Sequence, residues 1–127
     1  MTVVVATQEN FESLINTNDM VLVDFWAPWC GPCRGFAPIF EAAAAKYPDV
    51  KFVKVNTDEQ QELAAAFQIR SIPTLMIFRQ RIVVFAQPGA LPGSALDTLI
   101  EKANALDMDD VRREIAEKNQ AASAGGQ

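Results

Sequence analysis

Val21-Leu22-Val23-Asp24-Phe25-Trp26-Ala27-Pro28-Trp29-Cys30-Gly31-Pro32-Cys33 is an apolar run that breaks into a turn and ends on the chain's two cysteines, with a helical pattern following over Phe36 to Tyr47. The run from Val21 to Trp26 reads as a buried strand, so Cys30 falls where a strand-to-helix turn ends. A thiol attacks only as its thiolate, and at an unperturbed pKa of about 8.5 only a few per cent is ionised at neutral pH. Backbone N–H groups at a helix start, together with the macrodipole, favour an anion there. Pro32 suits the first helical turn, where its missing donor costs little, and Gly31 lets the turn be tight. Arg34 adds a nearby positive charge. Cys33 lies further into the helix and is expected to be the more buried thiol, placed to resolve a mixed disulfide formed at Cys30.

Two cysteines at this spacing have other uses, and the chain argues against them. A disulfide closing so short a loop constrains the unfolded chain little, and it would not persist in a reducing cytosol. A zinc knuckle usually needs two more Cys or His ligands, and the sequence holds no further cysteine and no histidine. No metal is expected.

Working outward, apolar runs alternate with helical patterns: Val3 to Val5, Glu9 to Ile15, Val21 to Trp26, the helix after Cys33, and Val50 to Asn56. This is a βαβαβ rhythm. Glu59 to Phe67 reads as a short helix, Thr74 to Phe78 and Ile82 to Phe85 as a hairpin, and Ser94 to Ala105 as a closing helix. The expected class is α/β: a central mixed β-sheet with helices on both faces. The 127 residues, 50% of them hydrophobic, suffice for one domain with a real core. Net charge of −5 and a pI near 4.6 argue against binding a phosphate backbone, so nucleic acid is not an expected partner. The opening Met1 to Asn10 has no basic region, and its apolar run is too short for a leader or a membrane span. A cytoplasmic location and no membrane partner are therefore expected.

Polar residues inside these apolar strands raise their own questions. Burial can raise an acid's pKa by about 3 to 5 pH units, which would bring Asp24 to where it exchanges protons near neutral pH below the cysteines. The competing reading is a strand-end acid facing solvent. Lys54, in Phe52-Val53-Lys54-Val55-Asn56, either tunes Asp24 from a neighbouring strand or snorkels to water. Pro73 heads the fourth strand, where a trans bond is the ordinary expectation.

Taken together these residues resemble the thioredoxin family, from about Val5 to Leu106. The motifs Asp24 to Arg34, Lys54-Val55-Asn56-Thr57-Asp58, Ile69 to Thr74 and Gly89-Ala90 stand in family order and spacing. The Phe25 to Pro38 and Phe52 to Phe78 segments look closest to the second bacterial branch, whose members often carry an N-terminal zinc module that this chain lacks. The resemblance implies a protein-disulfide reductase. Cys30 would attack a client disulfide, Cys33 would resolve it, and a flavin-dependent thioredoxin reductase would restore the dithiol with NADPH. Carried over by position, Asp24 is the buried proton-transfer acid, Lys54 its electrostatic neighbour, and Pro73 a cis proline beside the disulfide. Trp29, Gly31, Pro32, Ile72, Gly89 and Ala90 match the client-facing rim, where the Ile72 backbone would pair with an extended client; otherwise Trp29 would be a core aromatic. Protein disulfides and the reductase are the implied partners, and the domain a monomer holding no cofactor. A binding module indifferent to its cysteines, or an oxidant or isomerase, are the competing functions.

The sequence also departs from the family pattern. Ser71 stands where a glycine is often found, and Phe78-Arg79-Gln80-Arg81-Ile82 lacks an Asn-Gly turn, so another turn geometry is expected there. Gly35 weakens its helix by roughly 1 kcal/mol relative to alanine, and Pro38 predicts a kink. Residues 1–106 read as the domain and 107–127 as an extension: a short helix to about Lys118, then a flexible tail over Gln120 to Gln127. The narrow stripe of Met108, Val111 and Ile115 would pack on the parent domain or dock a partner or second copy.

Overall fold

The computed structural model describes residues 3–125. In chain order the elements are β1 (Val3–Val5), α1 (Phe11–Asn16), β2 (Met20–Trp26), α2 (Gly31–Lys46), β3 (Lys51–Asn56), α3 (Gln61–Ala66), β4 (Thr74–Arg79), β5 (Ile82–Pro88), α4 (Gly93–Asn104) and α5 (Met108–Gly125). The five strands form one sheet in the order β1-β3-β2-β4-β5. β3 lies parallel to both β1 and β2, whereas β4 runs antiparallel to β2 and to β5. Helical crossovers build the parallel half, the α3 segment brings β4 back antiparallel to β2, and a tight turn joins β4 to β5.

Strand alternation sorts side chains into two layers. Leu22, Phe52, Leu75 and Ile77 pack against Phe36, Phe40 and Ala43 of α2 and Leu96 and Ile100 of α4. Val21, Val23, Phe25, Val53, Val55 and Met76 pack on the opposite face against Phe11 and Ile15 of α1 and Leu63 of α3. The central strand β2 is therefore covered on both sides, which is why its sequence is an unbroken apolar run apart from Asp24.

Two expectations are corrected. The hairpin connects β4 to β5 through two residues, Gln80 and Arg81, and both adopt the left-handed backbone (φ 51° and 70°) that an Asn-Gly pair would supply. Left-handed backbone costs a non-glycine residue about 1–2 kcal/mol, offset here by Asp19. Its carbonyl accepts from Gln80 N at 2.7 Å, and its carboxylate accepts from Gln80 Nε2 at 3.1 Å and Arg79 Nε at 3.0 Å. Second, α5 does not stop near Lys118 but continues through Ala121-Ala122-Ser123-Ala124 to Gly125. Alanine is the strongest helix former, so a run read as a flexible linker prolongs the helix instead; residues 126 and 127 of the expected tail lie outside the described residues. As the placing of Pro32 in a first helical turn implies, α2 begins at Gly31, and it runs through Gly35 and Pro38 as one element.

Candidate active site

The chain leaves the sheet at Trp26 and enters α2 at Gly31, which makes Cys30 the N-cap. Its backbone is extended (φ −85°, ψ 113°), and its Sγ accepts from the N–H of Cys33 at 3.2 Å. A capping oxygen normally takes this bond; here a sulfur does, and a negative charge on that sulfur is favoured by the same donor and by the helix dipole. Pro32 occupies the first turn, as expected. The Arg34 guanidinium folds back to donate to Pro28 O at 2.9 Å.

Cys30 and Cys33 are joined as a disulfide, with their Cα atoms 5.2 Å apart. Cys33 is the more enclosed, 2% against 5% exposed. Ala27 packs with both cysteines, and Trp26 and Ile72 cover this small cluster. Ile72 O lies 3.7 Å from Cys30 Sγ. The Ile72–Pro73 bond is cis, not the trans form that the residues alone suggest, and Pro73 precedes β4 rather than opening it. From the end of β5, Gly89 N donates to Pro73 O at 2.8 Å, with Gly89 itself at φ 105°, a conformation glycine adopts without penalty.

Asp24 is 4% exposed, which excludes the solvent-facing reading. On β2 it alternates with Leu22 and so faces the layer that holds α2. Burial pushes its carboxyl up from 3.8 to about 7, and the Lys54 charge opposes that rise without cancelling it. Its Oδ1 has no hydrogen-bond partner among the described residues. Lys54 is Asp24's register partner on β3, with its Nζ 5.4 Å from the centroid of the Trp26 ring. It is half-buried, between the two environments considered for it.

Trp29 is 68% exposed, so it is no core aromatic, and its Nε1 donates to Asp58 Oδ2 at 3.0 Å. Gly31, Pro32, Gly89 and Ala90 are exposed and Ile72 is half-buried. Two polar features escaped the sequence reading. Nothing in the sequence pairs Asp58 with Trp29; only the fold brings them together. Arg79, 7% exposed, donates from Nη1 to Ala103 O at 2.6 Å and Asn104 O at 3.1 Å, tying the hairpin to the C-terminus of α4. An arginine closing an apolar strand was the available signal.

A mixed sheet flanked by helices, with a Cys-Gly-Pro-Cys pair capping the helix after a central strand, defines a thiol–disulfide oxidoreductase. The thioredoxin family model matches residues 2–102, which leaves α5 outside the match. A protein of Streptomyces coelicolor, provisionally designated thioredoxin 2, is 56% identical over 119 residues, covering 94% of this chain and 87% of the relative. Thioredoxin of Porphyra purpurea is 47% identical over 104 residues, 80% of this chain and 97% of the relative. Among solved structures, a mutant thioredoxin from Halobacterium salinarum superposes with a TM-score of 0.77 at 35% identity, covering 83% of this chain and 93% of that one. The chain belongs to the thioredoxin family, and its activity is that of a protein-disulfide reductase.

Proposed function

We propose that Cys30 is the attacking and Cys33 the resolving thiol of a cytoplasmic, monomeric reductase of client proteins. The Cys30 thiolate attacks one sulfur of a client disulfide; the client S–S bond breaks, a mixed disulfide with Cys30 forms, and one client thiolate leaves. Asp24 then takes the proton of the Cys33 thiol, directly or through water. The Cys33 thiolate attacks Cys30 Sγ, breaking the mixed disulfide and releasing the second client thiolate, which takes up a proton. The client gains two electrons and the Cys30–Cys33 disulfide is formed; a flavin-dependent thioredoxin reductase returns it to the dithiol at the expense of NADPH.

The observation that carries this reading is the capping bond from Cys33 N to Cys30 Sγ, because it makes Cys30 the sulfur that the helix start stabilises as an anion. Asp24 suits proton transfer because burial brings it to about 7, close to working pH. Lys54 keeps that value from climbing further. Trp29, Gly31, Pro32, Ile72, Gly89 and Ala90 form the client-facing rim, and Ile72 offers its backbone to an extended client segment. Pro73 packs beneath that segment. No helix among the described residues is long and apolar enough to cross a membrane.

The test is the reduction of a protein disulfide by three forms of the chain. The unsubstituted protein turns over with NADPH and thioredoxin reductase. Cys33→Ser accumulates a stable mixed disulfide with the client, seen by mass spectrometry, and Cys30→Ser forms none. A mixed disulfide trapped at Cys33 in the Cys30→Ser form, with none at Cys30 in the other, reverses the roles and overturns the reading.

A further inference from the structure

The turn that carries Ile72 is held from two sides. Gly89 N donates to Pro73 O at 2.8 Å, the bond of a hydrogen-bonded pair extending the β4–β5 ladder by one step. Such a pair ordinarily exchanges two bonds, but Pro73 has no N–H to return. The second restraint comes from a side chain: the Thr74 hydroxyl donates to Ser71 O at 2.6 Å, reaching back across Ile72 and Pro73. Thr74 is buried at the first position of β4, between Phe25 of β2 and Pro88 of β5, so its own backbone is fixed by the sheet. Between these two anchors, Ile72 N has no hydrogen-bond partner among the described residues, and Ile72 O meets only Cys30 Sγ. Ile72, the residue beside the reactive sulfur, thus has both its backbone N–H and its carbonyl free of the ladder.

We propose that Thr74 is a positioning residue for client binding: by tying Ser71 to the sheet edge, its hydroxyl fixes the direction in which Ile72 presents its N–H and carbonyl to an extended client segment. The inference rests on the reading of Ile72 given above. A backbone pair of this kind is lost when the turn swings by more than a few tenths of an ångström, because hydrogen bonds weaken steeply off their geometry. Small disulfides that reach Cys30 without an extended flank do not use the pair and do not depend on Thr74.

Thr74→Val keeps the shape and removes the hydroxyl; Thr74→Ser keeps the hydroxyl and removes the methyl. Each is assayed with a short peptide whose cysteine is disulfide-bonded to a small thiol, and with the same peptide carrying single backbone N-methyl groups at and beside that cysteine. In the unsubstituted protein, methylation at one position raises KM about five-fold, the worth of one net hydrogen bond, with kcat unchanged. Thr74→Val raises KM for the unmethylated peptide by a similar factor, and methylation then adds little. Thr74→Ser behaves as the unsubstituted protein, and all three reduce a small aromatic disulfide at the same rate. Full methylation sensitivity in Thr74→Val, an equal defect in Thr74→Ser, or a loss of the small-disulfide rate each overturns the role of the hydroxyl. Indifference of the unsubstituted protein to methylation at every position instead overturns the pairing at Ile72 itself, and the proposal with it.

Discussion

Replacing Asp24 by Asn tests the buried acid through stability rather than activity. Asp24 titrates at 3.8 in the unfolded chain and at about 7 in the fold. Because the folded value is the higher, the native state holds the proton more tightly; between those pH values the unfolded chain binds fewer protons, and stability falls as pH rises. The cost of keeping Asp24 in the fold is roughly 0.5 kcal/mol at pH 4 and grows to roughly 4 kcal/mol at pH 8, levelling off once both states are ionised. Asparagine is neutral throughout and carries only a constant penalty of about 1–3 kcal/mol for its own buried polar atoms. The stability of Asp24→Asn minus that of the unsubstituted protein is therefore expected to climb by roughly 3–4 kcal/mol between pH 4 and pH 8, whatever its starting sign. Urea unfolding of the oxidised proteins, followed by tryptophan fluorescence at stepped pH, measures that difference, and other titrating groups cancel from it. A difference that stays flat across the range refutes the argument that burial outweighs Lys54.

Removing the opposing charge by Lys54→Met raises the Asp24 pKa further above about 7, so the alkaline loss of stability extends to higher pH; an unmoved carboxyl titration by infrared difference spectroscopy contradicts this. Arg79→Met strands the Ala103 and Asn104 carbonyls and is expected to cost about 2–3 kcal/mol, against under about 1 kcal/mol for Asp19→Asn at the exposed end of the same ion pair; equal losses in urea titrations would place the energy in the ion pair instead. Met108, buried at the start of α5, loses about 2–4 kcal/mol on replacement by alanine, whereas Ile115→Ala, on a half-exposed turn of that helix, stays within about 0.5 kcal/mol. A comparable loss at Ile115 would mean that α5 is packed along its length.

The fold was legible where patterning and turn chemistry agreed. The run Val21 to Trp26 is short, rich in valine and aromatic residues and bounded by a turn, which points to a buried strand, and Gly31-Pro32 after it suits a helix start. The sequence could raise the question of Asp24 but not answer it, since burial belongs to the layers packed over a strand. The same holds for Trp29, whose exposure follows from the direction of a turn and from Asp58, twenty-nine residues away. The hairpin misled because local propensity at Gln80-Arg81 is poor, and the compensation comes from Asp19, which is distant in sequence. In the extension, Ser and Gly near the end suggested a linker while the intervening alanines decided for helix.

On the proposed reading, Cys30 and Cys33 are a reversible two-electron couple poised for reduction of clients. Equilibrating the protein in defined thiol–disulfide buffers and following tryptophan fluorescence gives its midpoint potential directly. A single two-electron transition well below the glutathione couple is the predicted result. A midpoint at or above glutathione would make the protein an oxidant or isomerase, and the absence of any reversible transition would contradict the account outright.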